Sequence, residues 1–192
     1  MVRTQTQTRE KILQGAKTLL SLYGCSATTI DDVIIAAGIT KGAFYHYFKS
    51  KDALCQAAIE HAESEYKQLI QSIPAELNAY EKLRFLLESI AQLNSSGQWI
   101  NCRMMLKLMT EPHDESPFVQ NQLTEFHNWY RGYYLDLITQ CRNDGSIQHS
   151  LDAQSQTSLV MAMMIGLCML NQMDPPSQPA GSHAEHILRV LK

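Results

Sequence analysis

Between Thr29 and Lys51 the chain reads TIDDVIIAAGITKGAFYHYFKSK, and that string strongly restricts the folds open to it. Thr29 is a good N-cap, because its hydroxyl can accept an amide left unpaired by the first helical turn, and Asp32 three positions on completes a capping box. Asp31 and Asp32 lie where the positive end of a helix dipole favours carboxylates, while Ile30, Val33, Ile34 and Ala37 recur at helical spacing. Gly38 supplies the left-handed backbone that ends a helix, Ile39 plugs the angle, and Thr40 caps the next helix. Two short helices joined by so tight a turn make a helix-turn-helix.

The second of these helices has two faces. Phe44 and Phe48, four apart, point inward, while Lys41, Gly42, Tyr45, His46 and Lys49 point away. Lysine donates to guanine edges or phosphates, tyrosine and histidine bond phosphate oxygens or stack on thymine methyls, and glycine lets the backbone approach a duplex. A single exposed Lys or His on a helix is usually only solvated, but aromatic and basic groups together on a capped second helix point to DNA.

The stretch from Thr8 to Leu54, TREKILQGAKTLLSLYG and then TTIDDVIIAAGITKGAFYHYFKSKDAL, resembles the N-terminal domain of the tetracycline-repressor (TetR) family of transcriptional regulators. Gly38 to Leu54 carries the family signature without a departure, and the resemblance covers about a quarter of the chain. It implies an all-α protein with a three-helix DNA-binding head and a helical body for ligand binding and dimerisation. It also implies DNA contacts, mostly to the backbone, at Thr29, Thr40, Lys41, Gly42, Tyr45, His46, Tyr47 and Lys51. Body domains of the family diverge widely, so the ligand is not implied.

Composition agrees. With 192 residues, 45% hydrophobic and 18% charged, the chain has the make-up of an ordinary globular protein. Its net charge of −3 divides unevenly: residues 1–54 hold seven Lys/Arg against four Asp/Glu, and residues 55–192 hold nine against fifteen. A basic head that meets phosphates and an acidic body that stays away from them account for the asymmetry. The five cysteines, Cys25, Cys55, Cys102, Cys141 and Cys168, lie far apart without a CxxC or Cys/His pattern, which predicts reduced thiols in a cytoplasmic protein. Met1 to Glu10 is polar, so no signal peptide is expected, and the apolar run Leu159–Leu170 is too short to span a bilayer.

Helical periodicity recurs throughout, with no strand-like alternation. A first helix ends at Gly24; a fourth begins after a Ser50 cap, runs from Lys51 to about Ile73 where Pro74 stops it, and links head to body. Further helices are expected near 79–94, 99–110, 116–143, 152–173 and 182–191, about nine in all. The expected domains are 1–54, the helix-turn-helix domain, and 55–192, the effector-binding and dimerisation domain.

A head reads one half-site, so a palindromic operator calls for a homodimer. Leu159, Ala162, Met163, Gly166 and Leu170, with Ile187 and Leu191 near the terminus, form the candidate interface; a purely intrachain core is the alternative. Phe85, Trp99, Cys102, Met105, Met109, Phe126, Trp129, Tyr130, Tyr133 and Tyr134 form a candidate pocket for a small, largely apolar effector, although core packing explains most of them equally well. Cys102, near Arg103 and Lys107, is a candidate thiol sensor of electrophiles or oxidants, with an inert buried thiol as the alternative. His183 and His186 lack companions for a metal, no catalytic frame is present, and no cofactor is expected. The sequence thus predicts a DNA-binding regulator, read as a repressor released by an effector, with an activator, a sequence-indifferent DNA-coating protein or a helical enzyme or carrier as alternatives.

Overall fold

A computed structural model describes residues 2–96, 100–112, 117–148, 150–173 and 180–191. Among them are nine helices and no strand: α1 (Val2–Ala27), α2 (Ile30–Ala37), α3 (Lys41–Tyr47), α4 (Lys51–Gln71), α5 (Ala79–Ser95), α6 (Asn101–Met109), α7 (Pro117–Asn143), α8 (Ala153–Met173) and α9 (Ala180–Val190). The all-α expectation holds, with boundaries within two or three residues of those read from the sequence. Two compact units result, one of residues 1–65 with 100–126, the other of residues 66–99 with 127–192. The expected DNA-binding segment, 1–54, lies wholly within the first.

In the first unit, Ile12, Leu13, Ala16 and Leu20 of α1, Val33 of α2, Phe44 of α3 and Leu54, Ala58 and Ile59 of α4 are buried. α6 packs along α1 and adds Met104 and Leu108. α1 does not simply stop at Gly24. There the backbone turns to φ 80, ψ −177, open essentially only to glycine, and helical residues resume through Ala27. Thr28 Oγ1 donates to the Gly24 carbonyl at 2.6 Å, and the Cys25 amide donates to a Glu111 carboxylate oxygen at 2.8 Å.

A buried cation ties this unit together. Lys17, whose side chain is 3% exposed, pairs with Glu65 Oε2 at 2.5 Å, and the same oxygen accepts Asn101 Nδ2 at 2.8 Å. Burial by itself would raise the Glu65 carboxyl, but bonds from Lys17 and Asn101 and the charges of Lys17 and His61 hold it below the ordinary value.

In the second unit, α5 presents Leu83, Leu86, Leu87 and Ile90 to a core completed by Tyr134, Leu137, Ile138 and Cys141 of α7, Val160 and Met164 of α8, and Ala184, Ile187, Leu188 and Leu191 at the C-terminal end. Asn78 and Glu81 form a capping box that starts α5. By length and composition α8 is long and apolar enough, over Ala153–Asn171, to cross a membrane, which corrects the expectation from the shorter run Leu159–Leu170. Its detail is that of a helix laid along a protein core. Val160, Met164 and Cys168 recur on one buried face, while Gln156 and Thr157, both fully buried, bond Arg142 Nη1 at 2.8 Å and the Ala153 carbonyl at 2.8 Å.

Candidate nucleic-acid interface

α2 and α3 are each opened by a side-chain cap and closed by a backbone one. Thr29 Oγ1 accepts the Asp32 amide at 3.1 Å while Asp32 Oδ2 accepts the Thr29 amide at 3.0 Å, so the capping box is reciprocal. Thr29 Oγ1 also donates to Asp32 Oδ2 at 2.6 Å, and that bond, with the one from the Thr29 amide, holds the Asp32 carboxyl below its ordinary value. Gly38 closes α2 at φ 62, ψ 42, and Thr40 Oγ1 accepts the Ala43 amide at 3.2 Å to open α3. Phe44 and Phe48 are buried, with ring centres 5.9 Å apart, and Arg9 of α1 lies 5.6 Å over the Phe48 ring. The inner face of α3 is therefore fixed, which aims its outer face.

That outer face carries the expected residues. Lys41, Gly42, Tyr45, His46 and Lys49 are exposed, and Tyr47 is half-buried. Tyr45 meets Phe44 edge-on at 5.3 Å, and His46 meets Tyr47 edge-on at 4.9 Å. Lys41 Nζ is 3.5 Å from Asp31 in a solvent-exposed pair that exchanges readily with other anions. Lys49 Nζ donates to the Tyr45 carbonyl at 2.9 Å, and Lys51 Nζ to the Ser26 carbonyl at 3.4 Å. Among the described residues, nothing beyond its chain neighbours and own helix backbone lies within 4 Å of where a Cβ on Gly42 would stand, so packing does not explain a glycine there. Thr29 and Thr40, exposed at the helix starts, serve as caps whatever else they touch.

The aromatic and methionine set falls in both units. Cys102 and Met109 are half-buried and Met105 and Phe126 buried in the first; Phe85, Trp129, Tyr130 and Tyr133 are half-buried and Tyr134 is 1% exposed in the second. Trp99 lies outside the described residues. In the second unit Tyr66, Tyr130 and Tyr134 form a chain with ring centres 5.1 and 5.0 Å apart, and the hydroxyls of Tyr130 and Tyr134 share a 3.0 Å hydrogen bond. Desolvation pushes the Tyr133 hydroxyl above its ordinary value.

Of the candidate interface residues on α8, Ala162 and Leu170 are exposed and Leu159, Met163 and Gly166 half-buried; Ile165 and Met169 join them on the open side. Leu170 is 59% exposed and Met169 47%. Ile187 and Leu191 differ from the expectation. At 3% and 0% exposed they are already covered within the chain, because the apolar stripe of α9 is taken up by α5. Nothing local in the sequence marks Glu111, which lies in the break after α6, or the Lys17–Glu65 pair, whose 48-residue separation leaves no local signal.

Two capped helices with a fixed inner face and an exposed Lys, Gly, Tyr and His row define a helix-turn-helix DNA-binding transcriptional regulator. The family model for bacterial regulatory proteins of the tetR family matches residues 12–58. The HTH-type transcriptional repressor NemR of Escherichia coli (strain K12) is 24% identical over 197 residues, spanning 98% of this chain and 96% of that protein. The crystal structure of the reduced form of E. coli NemR superposes with a TM-score of 0.75 at 20% identity, covering 96% of this chain and 98% of that one. FadR of Bacillus subtilis, solved in complex with stearoyl-CoA, superposes with a TM-score of 0.76 at 16% identity, covering 95% and 97%. Residues 12–58 thus carry the DNA-binding segment of bacterial regulatory proteins of the tetR family, and the chain as a whole is similar to regulators that bear it.

Proposed function

We propose that this regulator represses transcription by binding a palindromic operator as a homodimer and lets go when its helical body takes up a small, largely apolar effector. The observation that carries the reading is the outer face of α3: Lys41, Gly42, Tyr45 and His46 stand exposed on a short helix whose opposite face is locked by Phe44 and Phe48. In a duplex groove those groups meet phosphates and base edges, with Thr29, Thr40, Tyr47, Lys49 and Lys51 on the flanking backbone. The exposed apolar side of α8, with Ile165, Met169 and Leu170, is the surface a second copy would cover.

The mechanism is a population shift. The effector prefers a body conformation in which α4 tilts, the paired recognition helices then stand at the wrong separation, and operator affinity falls. Coupling of about 1–3 kcal/mol changes affinity about 5- to 150-fold. The tyrosine chain of the second unit offers hydroxyls in apolar surroundings for such a ligand, and the stearoyl-CoA bound by FadR is one example of the ligand class. Cys102 is a second input. It is half-buried at the start of α6, and the NemR structure described as a reduced form makes thiol chemistry there a direct question for this chain.

Gel shifts with DNA from upstream of the gene test the reading. Binding to an inverted repeat should exceed binding to unrelated DNA by at least about 10³-fold at physiological salt. Equal affinity for both would make the protein a sequence-indifferent DNA coat instead.

A further inference from the structure

Cys25 and Cys55 lie on opposite sides of the helix-turn-helix, one just after the break in α1 and the other in the second turn of α4. Their sulfurs are 2.7 Å apart, about 0.7 Å longer than an S–S bond. Both residues are buried, Cys25 less completely than Cys55, and both are free thiols. α2 and α3 fall entirely within the 30-residue separation between them.

We propose that Cys25 and Cys55 are a modification site, joined by peroxide-class oxidants into a disulfide that staples the base of the DNA-binding head without disabling it. Cys25 attacks first. Its sulfur takes one peroxide oxygen and becomes a sulfenic acid, and the other oxygen leaves as hydroxide, which is protonated to water. The Cys55 sulfur then attacks the Cys25 sulfur, the S–O bond breaks, the oxygen departs as a second water with the Cys55 proton, and the S–S bond forms. Two thiols lose two electrons in all, and one peroxide gains them.

The environment assigns these roles. The hydrogen bond from Cys55 and the nearby Lys51 ammonium, working against burial, hold the Cys25 thiol below its ordinary value, whereas that bond and burial push the Cys55 thiol up. Cys25 also sits at the Gly24 turn, where the helix is interrupted, and it is the more exposed of the two, 6% against 0%. Because the sulfurs already touch, the bond forms with a displacement smaller than an ångström, and the outer face of α3 keeps its aim. Oxidation here therefore leaves operator binding intact, unlike an off-switch at Cys102.

The test uses the full-length Cys102→Ser variant, treated with hydrogen peroxide and compared with its own reduced form. Non-reducing peptide mapping should yield a linked Cys25–Cys55 peptide, the Tm should rise by about 5–10 °C, and operator affinity should stay within about two-fold. In Cys55→Ser protein, peroxide should leave Cys25 as a sulfenic acid that dimedone traps. If both cysteines are alkylated once the peroxide-treated protein is denatured without reductant, or if the linked protein loses operator affinity five-fold or more, the proposal is wrong. The peptide map and Tm do not depend on the operator reading, so failure of that reading would leave these two results standing.

Discussion

The Glu111 carboxylate closes on the break at Gly24. Its Oε2 accepts the Cys25 amide at 2.8 Å and the Ser26 amide at 3.3 Å, and a Cβ built on Gly24 would lie 1.4 Å from its Oε1. The carboxylate thus satisfies amides that an interrupted helix would leave unpaired, and it anchors the C-terminal end of α6 to the segment that leads into α2. Gly24→Ala should cost about 2–4 kcal/mol, combining backbone strain at φ 80 with displacement of the carboxylate. In a Glu111→Ala background the same substitution should cost only the strain, about 1–3 kcal/mol. Urea denaturation of the four proteins measures the coupling directly, and additive costs would mean the two residues do not act on each other.

Gly42 separates DNA contact from fold. Since nothing lies within 4 Å of a Cβ at this position, Gly42→Ala should keep or raise stability, by up to about 1 kcal/mol from helix propensity. Operator affinity should nevertheless fall, because the added methyl stands between the backbone and the duplex. A thermal melt and a gel shift on the same sample decide it; unchanged affinity would remove Gly42 from the interface.

The lysines should divide by what they touch. Lys51→Ala and Tyr45→Ala should weaken binding to all sequences, and Lys51→Ala should lower the slope of log K against log salt by about 1 per lost phosphate contact. Lys41→Ala should also relax base preference, because Lys41 opens the exposed face of α3 and its ion pair with Asp31 is an exposed one. Titrations at several salt concentrations against operator and single-base variants distinguish these outcomes.

Acid should loosen the first unit through Glu65. Its carboxyl is held below the ordinary value in the folded protein, so its contribution is complete above the unfolded value of about 4.3 and disappears as pH falls through the folded value. Glu65→Gln leaves Lys17 charged, buried and short of its counter-ion. The cost should be about 2–3 kcal/mol at pH 7, below that of a fully buried pair because a third of the Glu65 side chain remains in water. Urea midpoints of wild type and variant should converge between pH 5 and 3; a constant gap would assign the stabilisation to another group.

The head was legible in the sequence because its determinants are local. The Thr29–Asp32 capping box, the Gly38 left-handed turn, the Thr40 cap and the Phe44–Phe48 spacing all act within four residues, and each appears where the string placed it. The groups that brace the head are not local: Glu111 reaches 86 residues back to Cys25, and Lys17 reaches 48 forward to Glu65. No periodicity reports such pairings. α9 was ambiguous for a different reason. An amphipathic stripe says that one face is buried, but not whether its own chain or a second copy covers it, and here α5 covers Ile187 and Leu191.

The junction between α7 and α8 depends on one guanidinium. Arg142 Nη1 donates to the Leu151 carbonyl at 2.6 Å and to Gln156 Oε1 at 2.8 Å, and Gln156 is fully buried with no partner for its Nε2 among the described residues. Arg142→Ala would strip the amide oxygen too, leaving a buried glutamine side chain without either bond, at a cost of about 1–3 kcal/mol. Replacing Gln156 by Leu in the same protein removes the unsatisfied amide and should recover part of that loss, because an apolar group of similar size needs no partner. If Arg142→Ala and the double variant unfold at the same urea concentration, the bond to Gln156 is not what Arg142 contributes. The nearby Cys141 gives an internal control: burial pushes its thiol up to about 11, so iodoacetamide at pH 8 should leave it unmodified in any variant whose second unit remains packed.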